Sequence, residues 1–134
     1  MRRDPNLRRL SRDHHTGLVL AKRIRELSAA DAARRDAAWT EAQARFADAL
    51  EPHFQLEEQG LLPALRAAGE DALVERTLAE HAELRRLIRG PAATVAERFA
   101  EALTAHIRFE EATLFETAQR VLDPDLLAQL GALH

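Results

Sequence analysis

HFQLEEQGLL at residues 53–62 and HIRFEEATLF at residues 106–115 are two copies of one pattern, His-x-x-x-Glu-Glu-x-x-Leu followed by an apolar residue. On an α-helix, a histidine and a glutamate four positions apart lie about one turn apart on the same face. His53 with Glu57, and His106 with Glu110, therefore point the same way. That way is inward. Phe46, Leu50 and Leu61 share the first face, and Phe99, Leu103 and Leu114 share the second.

Outward from these copies the chain is rich in alanine, leucine, arginine and glutamate, all good helix formers, and has no tyrosine. Apolar positions recur at three and four. Leu7, Leu10, Leu18, Ala21 and Ile24 mark one stripe, and Val74, Leu78, Leu84 and Ile88 mark another. Asp4-Pro5 reads as a cap with proline at the first helical position. Ser28, Asp31 and Asp36 are alternative caps in a weak boundary. Gly60, Pro63 and Gly69 are expected to close the second helix and its trailing segment. Gly90-Pro91 ends the third, Thr94 is the expected cap of the fourth, and Asp123-Pro124 restarts a short terminal helix. The expected fold is all-α: an up-down-up-down antiparallel four-helix bundle with a short C-terminal helix, forming one domain over residues 1–134.

Two more histidines fall on apolar stripes. His81 lies between Val74, Leu78, Leu84 and Ile88, and His14 lies in line with Leu7, Leu10, Leu18, Ala21 and Ile24. His15 has Arg8 and Lys22 one heptad either side, so His14 is the preferred inward residue and His15 the alternative. In antiparallel helices, residues at one level are equidistant from the turn between them. The midpoint of His53 and His81 falls beside Gly69. That of His81 and His106 falls just after Gly90-Pro91, and that of His14 and His53 falls between Ser28 and Asp36. The four histidines are thus expected to form one layer. A single histidine on an apolar stripe is commonly a hydrogen-bonded core residue. Four of them with two carboxylates at one level are costly to bury without an ion, at about 1–3 kcal/mol for each unsatisfied group.

Composition narrows the chemistry. With 134 residues and 46% apolar content, the chain suffices for one compact domain. The absence of cysteine removes disulfides, thiolate metal sites and cysteine nucleophiles. Histidine and carboxylate remain as metal-ligating side chains. The formal net charge is -3, Lys22 is the single lysine, and no basic block stands apart from acidic neighbours. A nucleic-acid partner is therefore not expected. Arg2-Arg3 and Arg8-Arg9 are read as solvated helix surface. No apolar run approaches the roughly 18 residues of a membrane span, and the charged start lacks the apolar stretch of a secretion signal. A soluble cytoplasmic protein is the expectation.

These motifs resemble the hemerythrin-like, or HHE cation-binding, family over about residues 7–118. The resemblance rests on DHHTGLVLA, HFQLEEQGLLPAL, AEHAELRRLI and HIRFEEATLFE in four successive helices. A ferritin-like protein would instead show Glu-x-x-His pairs. The resemblance implies a non-haem centre of two Fe ions with an oxo or hydroxo bridge. It implies His14, His53, His81 and His106 as terminal ligands, with Glu57 and Glu110 bridging. Four imidazoles, two bridging carboxylates and the small bridge fill most, but not all, positions of two octahedral ions. Zinc favours fewer ligands, and calcium or magnesium all-oxygen coordination. Glu58 and Glu111 are read as carboxylates that are either solvated or hydrogen-bonded to a ligand histidine, with direct ligation by Glu111 left open.

The chain departs from the family in two places. Oxygen-carrying hemerythrins have a second histidine four before the position of His81, where this chain has Thr77. The proline after the apolar pair is present as Pro63 but replaced by Glu116 in the second copy, which is expected to change only how that helix ends. Phe54 and Phe109 are candidates to wall the site or to pack the core. His134 is read as a tail. The leading functional expectation is a di-iron protein that binds or senses a small diatomic ligand, O2 or NO, or redox state. The alternatives are iron storage, donation or iron-centre repair; a di-iron enzyme acting on peroxide or NO; and a helical interaction module without metal.

Overall fold

The computed structural model describes residues 3–132, in which all regular structure is helical. Arg2 and His134 lie outside the described residues. Asp4 caps a short 3-10 turn, Pro5–Leu7, by accepting a hydrogen bond from the Asn6 amide at 2.8 Å. Helix α1 (Arg8–Ser28) follows. Of the three candidate caps in the next boundary, Asp31 is used, accepting from the Arg34 amide at 2.8 Å. Helix α2 spans residues 32–67, α3 Asp71–Leu87, α4 residues 92–121, and α5 Pro124–Ala132.

Helix α1 packs on α4 and α2, α3 packs on α4 and on the end of α2, and α5 lies against the Pro5–Leu7 turn. Gly17 lies where α1 packs on α4. A Cβ there would stand 2.8 Å from Ile107 Cδ1 of α4. Trp39 Nε1 and Gln43 Nε2 donate to the Gly90 and Ile88 carbonyls at 3.0 and 2.9 Å, satisfying acceptors that the end of α3 leaves open.

The apolar core is divided. One cluster includes Leu20, Ile24, Trp39, Phe46, Leu50, Phe54, Leu84, Phe99, Leu103 and Ile107. The other includes Leu7, Leu10, Leu61, Leu65, Val74, Leu114, Phe115, Leu127 and Leu130. Between them in every helix from α1 to α4 sits a buried polar residue: His14, His53 with Glu57, His81, and His106 with Glu110.

Several sequence expectations need correction. Gly60 and Pro63 do not close the second helix; it runs to Ala67, and the stop is Gly69 at φ 89°. The chain passes these positions by widening into a π-helical turn, Glu57–Leu61, in which the Leu62 amide bonds to the Glu57 carbonyl five residues back. A second π turn, Phe46–Leu50, precedes Pro52 in the same way. Each proline thus follows a place where the α ladder is already interrupted, which accommodates its missing N–H. A third π turn, Glu110–Leu114, occupies the equivalent place in the second motif. No proline follows there, so proline is not what opens the ladder. Glu116 lies within α4, which continues to Val121. Thr94 is not a cap, because α4 already begins at Ala92. Leu18 faces solvent, and its place on the buried stripe is taken by Gly17 and Leu20. Arg3 is not free surface: it bonds Glu111 and Gln119 and lies over the Phe115 ring.

Candidate metal centre

Four imidazoles and two carboxylates meet in the layer that divides the core. His14, His53, Glu57, His81, His106 and Glu110 are each at most 3% exposed. The helical register explains the meeting. Each His-x-x-x-Glu places its pair one turn apart, and the π turn begins at the glutamate itself, Glu57 or Glu110. π turns of this kind recur at functional sites, where they shift the side chains that follow around the helix.

The imidazoles form two pairs. His14 and His53 have ring centroids 4.9 Å apart, and so do His81 and His106. Each carboxylate reaches towards both pairs. Glu110 Oε1 lies 2.7 Å from His14 Nε2 and 3.8 Å from His53 Nε2, while its Oε2 lies 3.3 Å from His106 Nε2 and 3.7 Å from His81 Nε2. Glu57 Oε2 lies 3.4 Å from His53 Nε2, and its Oε1 3.1 Å from His81 Nε2. Two groups of potential ligand atoms result, each within 4.8 Å of one another: His14, His53, Glu57 and Glu110, and Glu57, His81, His106 and Glu110.

Protein groups alone do not satisfy this cluster. His53 Nε2, His81 Nε2, His106 Nε2, both Glu57 oxygens and Glu110 Oε2 are buried without a hydrogen-bond partner among the described residues. Each such group costs about 1–3 kcal/mol, and all of them converge. That is the fit expected of a cation site, and imidazole with carboxylate is a donor set for a divalent transition metal.

The proton affinities carry the same signature. Burial works against charge on His106, but the Glu110 charge and contacts with Glu110 and Glu80 raise it to about 10. Burial likewise opposes charge on His81, yet contacts with Glu110 and Glu57 raise it to about 9. His14 and His53 are also raised against burial, His14 chiefly by Glu110 and His53 chiefly by the Glu57 charge. Burial would push the Glu110 carboxyl up, but the His106 charge and its histidine contacts hold it well below the usual range. The cavity demands positive charge.

Of each alternative pair the structure turns one residue inward. His14 is buried and His15 is exposed. Glu110 is buried, while the Glu111 side chain is 33% exposed and accepts from Ser11 Oγ at 3.0 Å and Arg3 Nη2 at 3.1 Å. Glu58 meets His81 Nδ1 at 2.7 Å. Thr77 is buried, and its hydroxyl is taken by the Leu73 carbonyl at 2.8 Å. Phe54 does wall the site, stacking on His81 with centroids 4.0 Å apart at 12°. Phe109 is more distant, 6.4 Å from His106.

The sequence reading missed three residues at the centre. Phe115 stacks on His14 at 5.2 Å and 5°. Asp13 meets His53 Nδ1 at 3.1 Å, and Glu80 meets His106 Nδ1 at 2.7 Å. The signal was adjacency: Asp13 and Glu80 immediately precede inward histidines, as Glu58 and Glu111 immediately follow inward glutamates.

No helix among the described residues is long and apolar enough to cross a membrane. No curated protein and no solved structure matched the chain in comparison. The family model of the hemerythrin HHE cation-binding domain matches residues 5–118, the span that holds every residue of the buried cluster, and the chain belongs to that family.

Proposed function

We propose that this protein holds two iron ions and binds or senses a small diatomic ligand, O2 or NO, or responds to redox state. The observation that carries the reading is the sharing of carboxylates. Glu57 and Glu110 each send one oxygen to the His14–His53 pair and the other to the His81–His106 pair. His14 and His53 would serve one ion and His81 and His106 the other, with both glutamates common to the two. Iron so held would supply redox chemistry and an exchangeable coordination position for a small ligand.

The protein's own residues do the rest. Phe54 and Phe115 stack on His81 and His14, fixing ring planes and keeping water off the inner nitrogens. A hollow of about 180 Å³ lined by Glu80, Glu83, Leu84, Ala102, Ala105 and His106 reaches the cluster at His106. It suits a small neutral molecule. The roomier hollows, about 400 and 450 Å³, are lined by none of the six cluster residues, which weighs against a larger organic substrate. Thr77, with its hydroxyl already bonded to its own helix, leaves one fewer nitrogen donor than an oxygen carrier has, and this favours sensing over transport.

The short connections and the common level of the histidines support one antiparallel up-down-up-down four-helix bundle, forming a single domain. Iron storage or donation is the second reading, supported by the same shortage of ligands. Protein purified after iron-replete expression is expected to carry about two irons, with a near-ultraviolet spectrum that changes reversibly on anaerobic addition of O2 or NO. Protein that stays iron-free after anaerobic reconstitution sinks the proposal. Iron that leaves readily for an apo-acceptor, with no reversible ligand spectrum, moves the reading to donation.

A further inference from the structure

Each of the four buried histidines is met on its outer side by a carboxylate from another helix, and these contacts run in one direction. Asp13 of α1 meets His53 of α2 at 3.1 Å. Glu58 of α2 meets His81 of α3 at 2.7 Å, and Glu80 of α3 meets His106 of α4 at 2.7 Å. Glu111 of α4 faces His14 of α1 at 3.6 Å, which returns the circuit to its start.

The register produces this circuit. Successive residues on an α-helix point about 100° apart, so the neighbour of an inward residue lies on a flank of its helix, the side on which an adjacent helix packs. A carboxylate beside an inward residue therefore points at the next helix. On α1 and α3 it precedes the inward residue (Asp13 before His14, Glu80 before His81). On α2 and α4 it follows (Glu58 after Glu57, Glu111 after Glu110). Before on one helix and after on the next turn the same way round when neighbouring helices run in opposite directions.

We propose that Asp13, Glu58 and Glu80 are positioning residues of the metal site, an incomplete ring that holds His53, His81 and His106 each with its outer nitrogen protonated and its inner nitrogen free for the ion, and that His14, which Glu111 faces without holding, is the least-held and exchangeable ligand. The proposal rests on the cluster binding metal. A carboxylate on the outer nitrogen of a ligand histidine fixes its orientation and raises its basicity. Three contacts are short enough for that role. The fourth, at 3.6 Å, is too long for a hydrogen bond. Glu111 is drawn aside by Ser11 Oγ and Arg3 Nη2, both on its Oε2. His14 Nδ1 has no hydrogen-bond partner among the described residues, while its Nε2 lies against Glu110 at 2.7 Å.

Two carboxylates are braced in turn. Arg85 donates to Glu58 at 2.8 and 3.2 Å while gripping Glu51, and Arg76 donates to Glu80 at 3.0 Å. The same arginines lie over Phe54 and Phe109, beside the histidines that those carboxylates hold. The carboxylates on the His81–His106 side are therefore braced in the position that holds their histidines, whereas the donors on Glu111 hold it away from His14.

The test uses the full chain in two stages. In metal-free protein labelled with 15N at histidine, Nδ1 protons held by carboxylates give downfield, slowly exchanging signals. These are expected from His53, His81 and His106 and not from His14. Asp13→Ala, Glu58→Ala and Glu80→Ala should each remove only the signal of the paired histidine, with Asn or Gln at the same position restoring it in part. In iron competition against a chelator, those three alanine variants are expected to lose roughly 10–100-fold in affinity, and Glu111→Ala to stay near the wild type. Circular dichroism confirms that each variant folds. Unchanged iron affinity in all the alanine variants, with two irons bound by the wild type, overturns the ring. A loss in Glu111→Ala equal to that in Glu58→Ala overturns the special place of His14. A wild type that takes up no iron overturns the metal reading beneath the proposal, and the Nδ1 signals then decide the ring separately.

Discussion

Phe54 and His81 lie face to face, their ring centroids 4.0 Å apart and their planes 12° from parallel. The guanidinium of Arg85 is 5.6 Å from the centroid of the same Phe54 ring. The phenyl ring is thus both a floor for a buried imidazole and part of the apolar core. Phe54→Ala is expected to destabilise the metal-free protein by about 3–5 kcal/mol, the usual cost of emptying a buried aromatic site. Denaturant unfolding measures it. A change near zero would mean that the stack contributes nothing.

His14 and His15 are adjacent in sequence and opposite in environment, one buried and one exposed. His14→Ala is expected to lower the iron bound per chain, and His15→Ala to leave it at the wild-type value. Elemental analysis of the purified variants reads both. Equal losses would place His15 in the centre and contradict the burial.

The pH dependence of the metal-free protein has a defined sign. His81 and His106 are raised from ordinary values to about 9 and about 10. A group raised on folding stabilises the fold fully below its unfolded value and loses that contribution as pH climbs through its folded value. Metal-free protein is therefore expected to lose thermal stability from about pH 6.5, the ordinary histidine value, up to about pH 10. The depressed Glu110 carboxyl adds stability that is present above its ordinary range and lost in acid. Iron-loaded protein should behave differently on the alkaline side, because metal binding needs neutral imidazoles and competes with their protons. Melting curves of both forms across this range make the comparison. A metal-free protein that gains stability up to pH 10 would refute the assignment.

A Cβ at Gly17 would meet Ile107 Cδ1, the tip of a flexible side chain on α4, at 2.8 Å. Alanine gains helix propensity against that clash, so a larger residue gives the cleaner test. Gly17→Leu is expected to cost about 1–3 kcal/mol by overpacking. Because Gly17 is one turn from His14, it should also weaken iron binding. Unfolding and chelator competition measure the two effects.

The helices and the inward His-x-x-x-Glu pairs were legible in the sequence because period and motif reinforce each other there. His14, with no motif of its own, followed from the apolar stripe around it. That stripe was partly misread: Leu18 was placed inside because leucine outweighs glycine on any hydropathy count, yet Gly17 is buried and Leu18 is exposed. The three π turns were not legible. An α-helix and a π turn have the same composition, and Gly60 and Pro63 looked like a terminus when the ladder had only widened. Asp13 and Glu80 were passed over because pattern reading seeks residues that share a face with the histidine, and these act on the next helix. Phe115 was missed for the same reason, since its partner His14 lies about a hundred residues earlier.

The polar layer between the two apolar clusters also bears on how the protein unfolds. Mechanically the bundle is two small half-cores in series, joined at a seam whose polar atoms the side chains alone leave without hydrogen-bond partners. Ions at that seam would cross-link α1 to α4 at mid-height and couple the halves into one cooperative unit. Without them, the half that contains α5 and the Pro5–Leu7 turn would be expected to open while the half around Trp39 and Phe99 stays closed. Metal content would then set the cooperativity of the whole chain as well as its chemistry, so that losing iron becomes a structural event felt at both ends of the bundle.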